Sequence, residues 1–270
     1  MEISKLYRMI HLQPEIIEKL EMCERDLDLS ELDAYLNCMI NMETAKEAYR
    51  GLKEYFGEDK GNMKMLYCQL ECARRVYDKY QEKKIPDNIF IDTMKCYSRF
   101  IDECKEKNGW MFFDRGWWTY RQLSMEIFRI GDLEYQFIKH GNEDAMAIHI
   151  PSDAVFTREA VNDSLQLAGE FFDTYYPEYK YKKYTCESWL LSQELKKFLT
   201  AESKILDFQN RFEILEESKD KTEFIEWLFQ RLESTEYKEL PEKTSLQRKV
   251  KRHLLEGGKI GEAYGVFERG

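Results

Sequence analysis

The stretch IHIPSDAVFTREA, residues 148–160, decides how the second half of this chain is read. Ile148 and Ile150 flank His149 in the alternation of a half-buried strand. Pro151 then interrupts the ladder, since it has no N–H to give. Thr157 stands where a helix N-cap belongs, and Val161, Leu165, Ala168 and Phe172 follow as an apolar stripe at helical spacing. Strand, break and helix is an arrangement that receives phosphate, because a helix N-terminus presents unsatisfied N–H groups to an anion. This break, however, contains no glycine, the residue that most readily lets a backbone close around phosphate.

Working outward, the period stays near two on the N-terminal side. Leu123, Met125, Ile127 and Phe128 precede a turn at Ile130-Gly131-Asp132. Leu133, Tyr135, Phe137 and Ile138 follow, then a Gly141-Asn142 turn, then Met146, Ile148 and Ile150. This predicts three strands in a meander. Beyond the helix, which Pro177 closes, Tyr184–Leu191 reads as a fourth strand and Ser192 as the cap of a short helix through Phe198. A fifth strand is expected over Phe212–Leu215, helices over Asp220–Leu232 and Thr244–Leu255, and a last strand over Ala263–Phe267.

Upstream of about residue 105 the period is helical throughout. Ile3, Leu6, Tyr7 and Ile10 make one stripe, and Pro14 opens a second helix with Ile16, Ile17 and Leu20. Ser30 reads as the cap of a third, Gly57 as the end of a fourth, and Met63–Tyr77 as a fifth. A sixth carries Phe90, Met94, Tyr97, Ile101 and Cys104. The expected architecture is α+β: an all-helical domain over 1–108 and a mixed-sheet domain over 109–270. The segment GWMFFDRGWWTY (109–120), with six aromatics in twelve residues, lies at that junction. It reads as interdomain packing, or alternatively as a wall for an acyl chain.

Composition narrows the function classes. A net charge of −10 leaves no basic field for nucleic acid. No run of about 18 apolar residues is present, so no membrane span is expected. The N-terminus is broken by charge and lacks the apolar core of a signal peptide, which makes the cytoplasm the expected location. Seven cysteines, an odd number, argue against a disulfide scaffold. Cys68 and Cys72 have no second pair at zinc spacing, and no metal is expected.

The segments RQLSMEIFRIGDLEYQF, IHIPSDA, CESWLLSQELKKFL, ILDFQNRF and LPEKTSLQRKVKRHLLEGGKIGEAYGVF resemble a bacterial acyltransferase-like family. Its members pair a helical N-acyltransferase N-terminal domain with a GNAT-like C-terminal domain. The order β-β-β-α-β-α-β agrees with that fold. The resemblance implies direct acyl transfer from acyl-CoA, as co-substrate, to an amine or hydroxyl of a small-molecule or peptide acceptor. It maps no catalytic residue.

The position of the usual Gly-rich pyrophosphate loop falls on PSDAVFTRE. There Thr157 can cap the helix, Ser152 can donate a hydrogen bond, and Arg158 puts a cation in the first turn, where the dipole does not favour it. Asp153 would repel phosphate, and Arg158 also reads as an ordinary surface charge. His149 is a candidate proton acceptor beside the reacting amine, against a purely structural histidine. Glu187 is a candidate base if burial raises its pKa, with Trp189 as a pocket wall, against a solvated glutamate beside a packing tryptophan. A Cys186–His149–Asp153 triad is a weaker arrangement, since no nucleophile elbow is present. On the last helix Gln247, Lys251, Arg248 and Arg252 form ridges that could hold CoA phosphates by charge, although an ordinary solvated surface helix is the favoured reading. The alternative to an enzyme is a non-catalytic binding module that retains the GNAT-like fold.

Overall fold

A computed structural model describes residues 1–269. Contacts divide the chain into two compact units, Met1–Ile130 and a second beginning at Gly131.

Among the described residues, the first unit holds α1 (Ile3–Met9), α2 (Pro14–Asp26), α3 (Leu29–Met39), α4 (Ala45–Phe56), α5 (Met63–Glu82), α6 (Asp87–Met94), α7 (Cys96–Asn108), α8 (Gly116–Leu123) and the short strand β1 (Ile127–Ile130). Its centre is α5, which buries residues on every side, from Met65 and Leu66 through Leu70 and Ala73 to Val76 and Tyr80. From Met65 to Ala73 the helix is covered all round, Gln69 and Glu71 included, as a helix inside a bundle is. Helix α3 is capped by Asp28, not Ser30: the Asp28 carboxylate accepts both the Ser30 N–H at 2.9 Å and the Ser30 hydroxyl at 2.7 Å. The expected sixth helix is two, parted at Lys95, whose carbonyl accepts the Ser98 hydroxyl at 3.0 Å; such back-bonding bends helices. Leu123 ends α8 and Met125 has φ 59°, so the first strand begins only at Ile127.

The aromatic segment 109–120 lies within this first unit. Buried Gln69 of α5 donates to the Gly116 carbonyl at 2.9 Å and accepts from the Thr119 hydroxyl at 2.6 Å. Asn62 donates to the Phe113 carbonyl at 2.6 Å, and the Phe113 N–H donates to the Gly61 carbonyl at 3.0 Å. These bonds tie the segment to α5, so the unit ends later than the change of hydrophobic period at about residue 105.

The second unit holds β2 (Leu133–His140), β3 (Glu143–His149), α9 (Arg158–Tyr175), β4 (Lys183–Ser188), α10 (Lys204–Gln209), β5 (Glu213–Ser218), α11 (Phe224–Phe229), α12 (Ser245–Leu255) and β6 (Glu262–Glu268). Its strands lie in the order β2-β3-β4-β6-β5. All neighbours are antiparallel except β3 and β4, which are joined through α9. A parallel pair needs such a crossover, because a hairpin cannot make one. One sheet face carries Tyr135, Phe137, Met146, Ile148, Tyr184 and Cys186 and is covered by α9. Tyr135 and Phe137 both meet Phe172 edge to face, and the Tyr135 hydroxyl bonds the Ser164 hydroxyl at 2.9 Å.

Strand β4 stops at Ser188, whose hydroxyl caps a 3-10 turn over Trp189–Leu191. Trp189 is therefore off the strand; it packs against a cluster of Leu195, Phe224, Ile225, Phe229, Val250 and Leu254. Ser192 caps nothing with its side chain; its hydroxyl donates to the Ile260 carbonyl at 2.6 Å. Helix α11 is shorter than the expected Asp220–Leu232, ending at Gln230 in a left-handed conformation. Helix α12 opens on the anticipated capping box of Thr244 and Gln247.

Gly261 leads into β6 with φ +68°, and an added Cβ would stand 2.3 Å from the Ser218 carbonyl oxygen. Gly261→Ala is expected to destabilise the second unit by about 2–4 kcal/mol, from left-handed strain plus a backbone clash. Denaturant unfolding measures it; a change below about 0.5 kcal/mol would contradict this reading of the β5–β6 junction.

Candidate active site

The pairing of β3 with β4 covers only three rows: Ala145 with Lys183, Met146 with Tyr184, and Ala147 with Thr185. Both strands continue past the last row, to His149 and to Ser188, without pairing to each other. The two strands therefore part at their C-terminal ends. β4 remains laddered to β6 along its length, through Ser188 with Ala263, so the parting is confined to the β3 side. The chain leaves β3 at this open end and returns as α9.

Register assigns the side chains to faces. Ala145, Ala147 and His149 share a face with Thr185 and Glu187, and with Tyr264 opposite Glu187. Met146, Ile148 and Cys186 lie on the other face, under α9. His149 is half-buried, and its Nε2–H donates to the Gln136 amide oxygen on β2 at 2.8 Å. Cys186 is buried, and burial pushes its thiol well above the ordinary range. The triad of Cys186, His149 and Asp153 does not form, because Cys186 and His149 point to opposite faces and Asp153 is an exposed loop residue.

Glu187 sits in an acidic row. Tyr264 lies between it and Glu216 in register, and Glu262, buried at 6% exposure, pairs with Lys221 at 3.2 Å. Glu187 is exposed, as a solvated glutamate would be; its partial covering first, then the charge of Glu262, nevertheless pushes its pKa up, and Lys221 opposes the shift. Glu223 is raised for related reasons, burial first and Glu262 second. A carboxyl held above its ordinary value is a better proton acceptor at neutral pH than a free glutamate.

Around the start of α9 the loop is held by carboxylates from other elements, Asp132 before β2 and Asp207 on α10. Thr157 caps the helix, its hydroxyl accepting the Ala160 N–H at 3.2 Å. The Val155 N–H, a donor of the kind a phosphate takes, donates to the Asp132 carboxylate at 2.8 Å. Ser152 is exposed. Arg158 pairs with Asp207 of α10. Arg211, not singled out from sequence, reaches the same carboxylate at 3.5 Å and the Asn162 amide oxygen at 2.7 Å. Two guanidinium groups thus share one carboxylate beside the α9 N-terminus, whose first turn also carries Glu159. The α12 ridge is different: Lys251 bonds the Leu240 carbonyl at 2.7 Å and Glu242 at 2.9 Å, and Lys249 bonds the Phe198 carbonyl at 2.9 Å. Those lysines close the fold around α12.

Two residues on the face of Glu187 escaped the sequence reading. His140 Nδ1 lies 2.8 Å from the Tyr264 hydroxyl, with the rings stacked. Tyr264 is also the diagonal cross-strand neighbour of Thr185, which stands in the last paired row of β3 and β4. Nothing local in the sequence marks these contacts, because β2 and β6 are far apart in the chain. Among the described residues, no group of three or more His, Cys, Asp or Glu side chains is arranged to hold a metal ion, and no helix is long and apolar enough to cross a membrane.

Two family models match the chain: an N-acyltransferase N-terminal domain over residues 1–125 and a GNAT-like C-terminal domain over residues 127–267. Among solved structures, an acyltransferase mutant in complex with octanoyl-CoA is similar at a TM-score of 0.83 and 18% identity, over 99% of this chain and 87% of that one. An acyltransferase in complex with decanoyl-CoA and teicoplanin is similar at 0.74 and 18%, over the whole of both chains. At these identities the likeness establishes a common fold. No curated protein matches.

Glu187→Gln isolates the charge that its surroundings oppose. Because the folded-state pKa is raised, the wild-type residue contributes stability at low pH that is lost as pH rises through the folded pKa. The variant is expected to gain stability relative to wild type as pH goes from about 4 to 7, starting near the free-carboxyl range. Urea unfolding at both pH values measures it, and a pH-independent difference would refute the assignment.

Proposed function

Because the chain belongs to the family defined by a GNAT-like C-terminal domain, we propose that it is an acyl-CoA-dependent acyltransferase that passes an acyl group directly to an amine or hydroxyl acceptor. The observation that carries this reading is the short parallel ladder between β3 and β4 and the parting beyond Ala147 and Thr185. An extended pantetheine arm can take the place of the missing ladder there, bonding to strand edges that the partner strand leaves unpaired. Acyl-CoA enters as co-substrate at the open end, beside the α9 N-terminus. Thr157, Ser152 and Arg158, with Arg211, face its phosphates by charge and hydrogen bonding. Octanoyl-CoA and decanoyl-CoA in the related structures support a medium-chain acyl donor.

The reaction then needs few parts. The acceptor's lone pair attacks the thioester carbonyl. Backbone N–H groups at the parted strands receive the developing oxyanion, and CoA leaves as the thiol or thiolate. Glu187, with its raised pKa, takes the first proton from the acceptor; His149, on the same face and oriented by Gln136, is the second candidate. A cytoplasmic setting belongs to the same reading.

Isothermal titration of the whole chain with acetyl-, octanoyl- and decanoyl-CoA is expected to show binding, strongest for the longer chains. Arg158→Ala combined with Arg211→Ala should weaken it by roughly tenfold, the scale of one lost charge-assisted contact. No binding of any thioester would sink the proposal. Glu187→Gln should lower turnover by roughly 10²-fold with thioester affinity kept; unchanged turnover would remove Glu187 while leaving the reaction class standing.

A further inference from the structure

The second unit holds a small cavity between the β5–α11 connection, the end of α12 and the residues that lead into β6. No residue of β3, β4 or α9 lines it. Its volume is about 70 Å³, roughly the share of two waters in the liquid. We propose that it is a binding site for a short-chain carboxylate, with the acid group on a rim of lysines and the aliphatic stem on an apolar floor.

The floor is preformed. Phe224, Leu254 and Ile260 line it, each at most 3% exposed. All three belong to the cluster that also holds Leu195, Ile225 and Val250. Ile260 is fixed at its backbone as well, because the Ser192 hydroxyl donates to its carbonyl at 2.6 Å. A floor packed from behind need not rearrange for a ligand, which lowers the cost of binding. It also selects among anions. A phosphate carries oxygens on every side, and those turned to this floor would lose water without gaining a donor. A carboxylate has a carbon end to turn inward.

The rim is cationic. Lys219, Lys221 and Lys259 line it against one carboxylate, Asp220. Lys259 pairs with Asp220, and Lys221 with the buried Glu262 at 3.2 Å. Lys219 makes no ion pair among the described residues. Glu194 and Glu262 temper this charge from outside the lining. Tyr237, 37% exposed, brings a hydroxyl near Lys259 as a further donor.

Size sets what the acid is attached to. The lysines are exposed and the floor is buried, so a bound carboxylate has its head at the rim and its stem pointing inward. Within about 70 Å³ the stem ends after a few carbons. Nothing larger can hang from it, and the ligand is therefore a free short acid, not the acid end of a bigger molecule.

The test titrates the full-length chain with sodium propionate at constant sodium and reads binding by saturation-transfer NMR on the ligand methyl group. Saturable binding is expected with a Kd of about 1–10 mM, the scale for a ligand of so few atoms. Propanamide, the same stem with a neutral head, should not saturate the site in that range. Lys219→Gln and Lys259→Gln should each weaken propionate roughly threefold, as loss of an exposed charge contact does, and the double variant more. Thermal unfolding midpoints close to wild type show that the variants fold. No saturation below about 50 mM, equal binding of propanamide, or an affinity unmoved in the double variant overturns the site. Phosphate that displaces propionate at equal or lower concentration overturns the carboxylate assignment. N-acetyl-β-alanine, the same head on a longer stem, overturns the free acid if it binds as tightly as propionate. Acyl transfer stands in each of these cases, because the cavity shares no lining residue with the parted strands.

Discussion

Three rows of parallel ladder between β3 and β4 are the constraint on which the second unit depends. A parallel pair requires a crossover, so α9 must lie over one face, and its N-terminus must stand near the end where β3 stops. Had the ladder run the full length of both strands, that end would be an ordinary closed edge. It ends at Ala147 and Thr185 instead, while β6 holds β4 straight along its other side. The division of labour between the two faces follows. Aromatic residues fill the face beneath α9, where Phe172 alone meets Tyr135, Phe137, Tyr176 and Tyr181. Polar and small side chains are left for the face that carries Glu187, Tyr264 and His140.

The elements of the fold were largely legible because their signals are local. A period of two over Leu133–Ile150 and of 3.6 over Val161–Phe172 follows directly from how side chains leave a strand and a helix. The Thr244 capping box was readable for the same reason: all its partners lie within four residues. The misreadings arose where a nearby competitor decided the matter. Asp28 outcompetes Ser30 for the cap because its carboxylate accepts two bonds from that serine. Trp189 continues the apolar run of β4 on paper, but the Ser188 hydroxyl takes the Leu190 N–H and turns the chain.

The site was legible only in part. Alternation was enough to turn His149 away from Ile148 and to set Glu187 apart from Cys186. What no local pattern carries is register between distant strands. His140 meets Tyr264 across 124 positions, and Glu187 meets Glu262 because β6 runs antiparallel to β4. Arg211 joins Arg158 only because α10 brings Asp207 to both. These residues read singly as surface charge or strand filler, and their chemistry arises from being brought together.

The missing glycines can now be given a physical meaning. A Gly-rich loop holds phosphate by many backbone N–H groups at once, an arrangement indifferent to side chains. Here the loop spends its Val155 N–H on Asp132, which locks PSDAVF in shape without a ligand. In the proposed reading anion recognition would fall to the start of α9 and to the two arginines that share Asp207. In the proposed complex such a site would start half neutralised: a phosphate would replace Asp207 as the partner of the guanidinium groups. That exchange costs some affinity, because the arginines give up an existing ion pair. It also makes the positive charge available without leaving it unpaired in the empty protein. Tight binding would therefore have to draw on the acyl chain and the pantetheine arm more than on the pyrophosphate, an assignment that suits a donor with a long apolar tail.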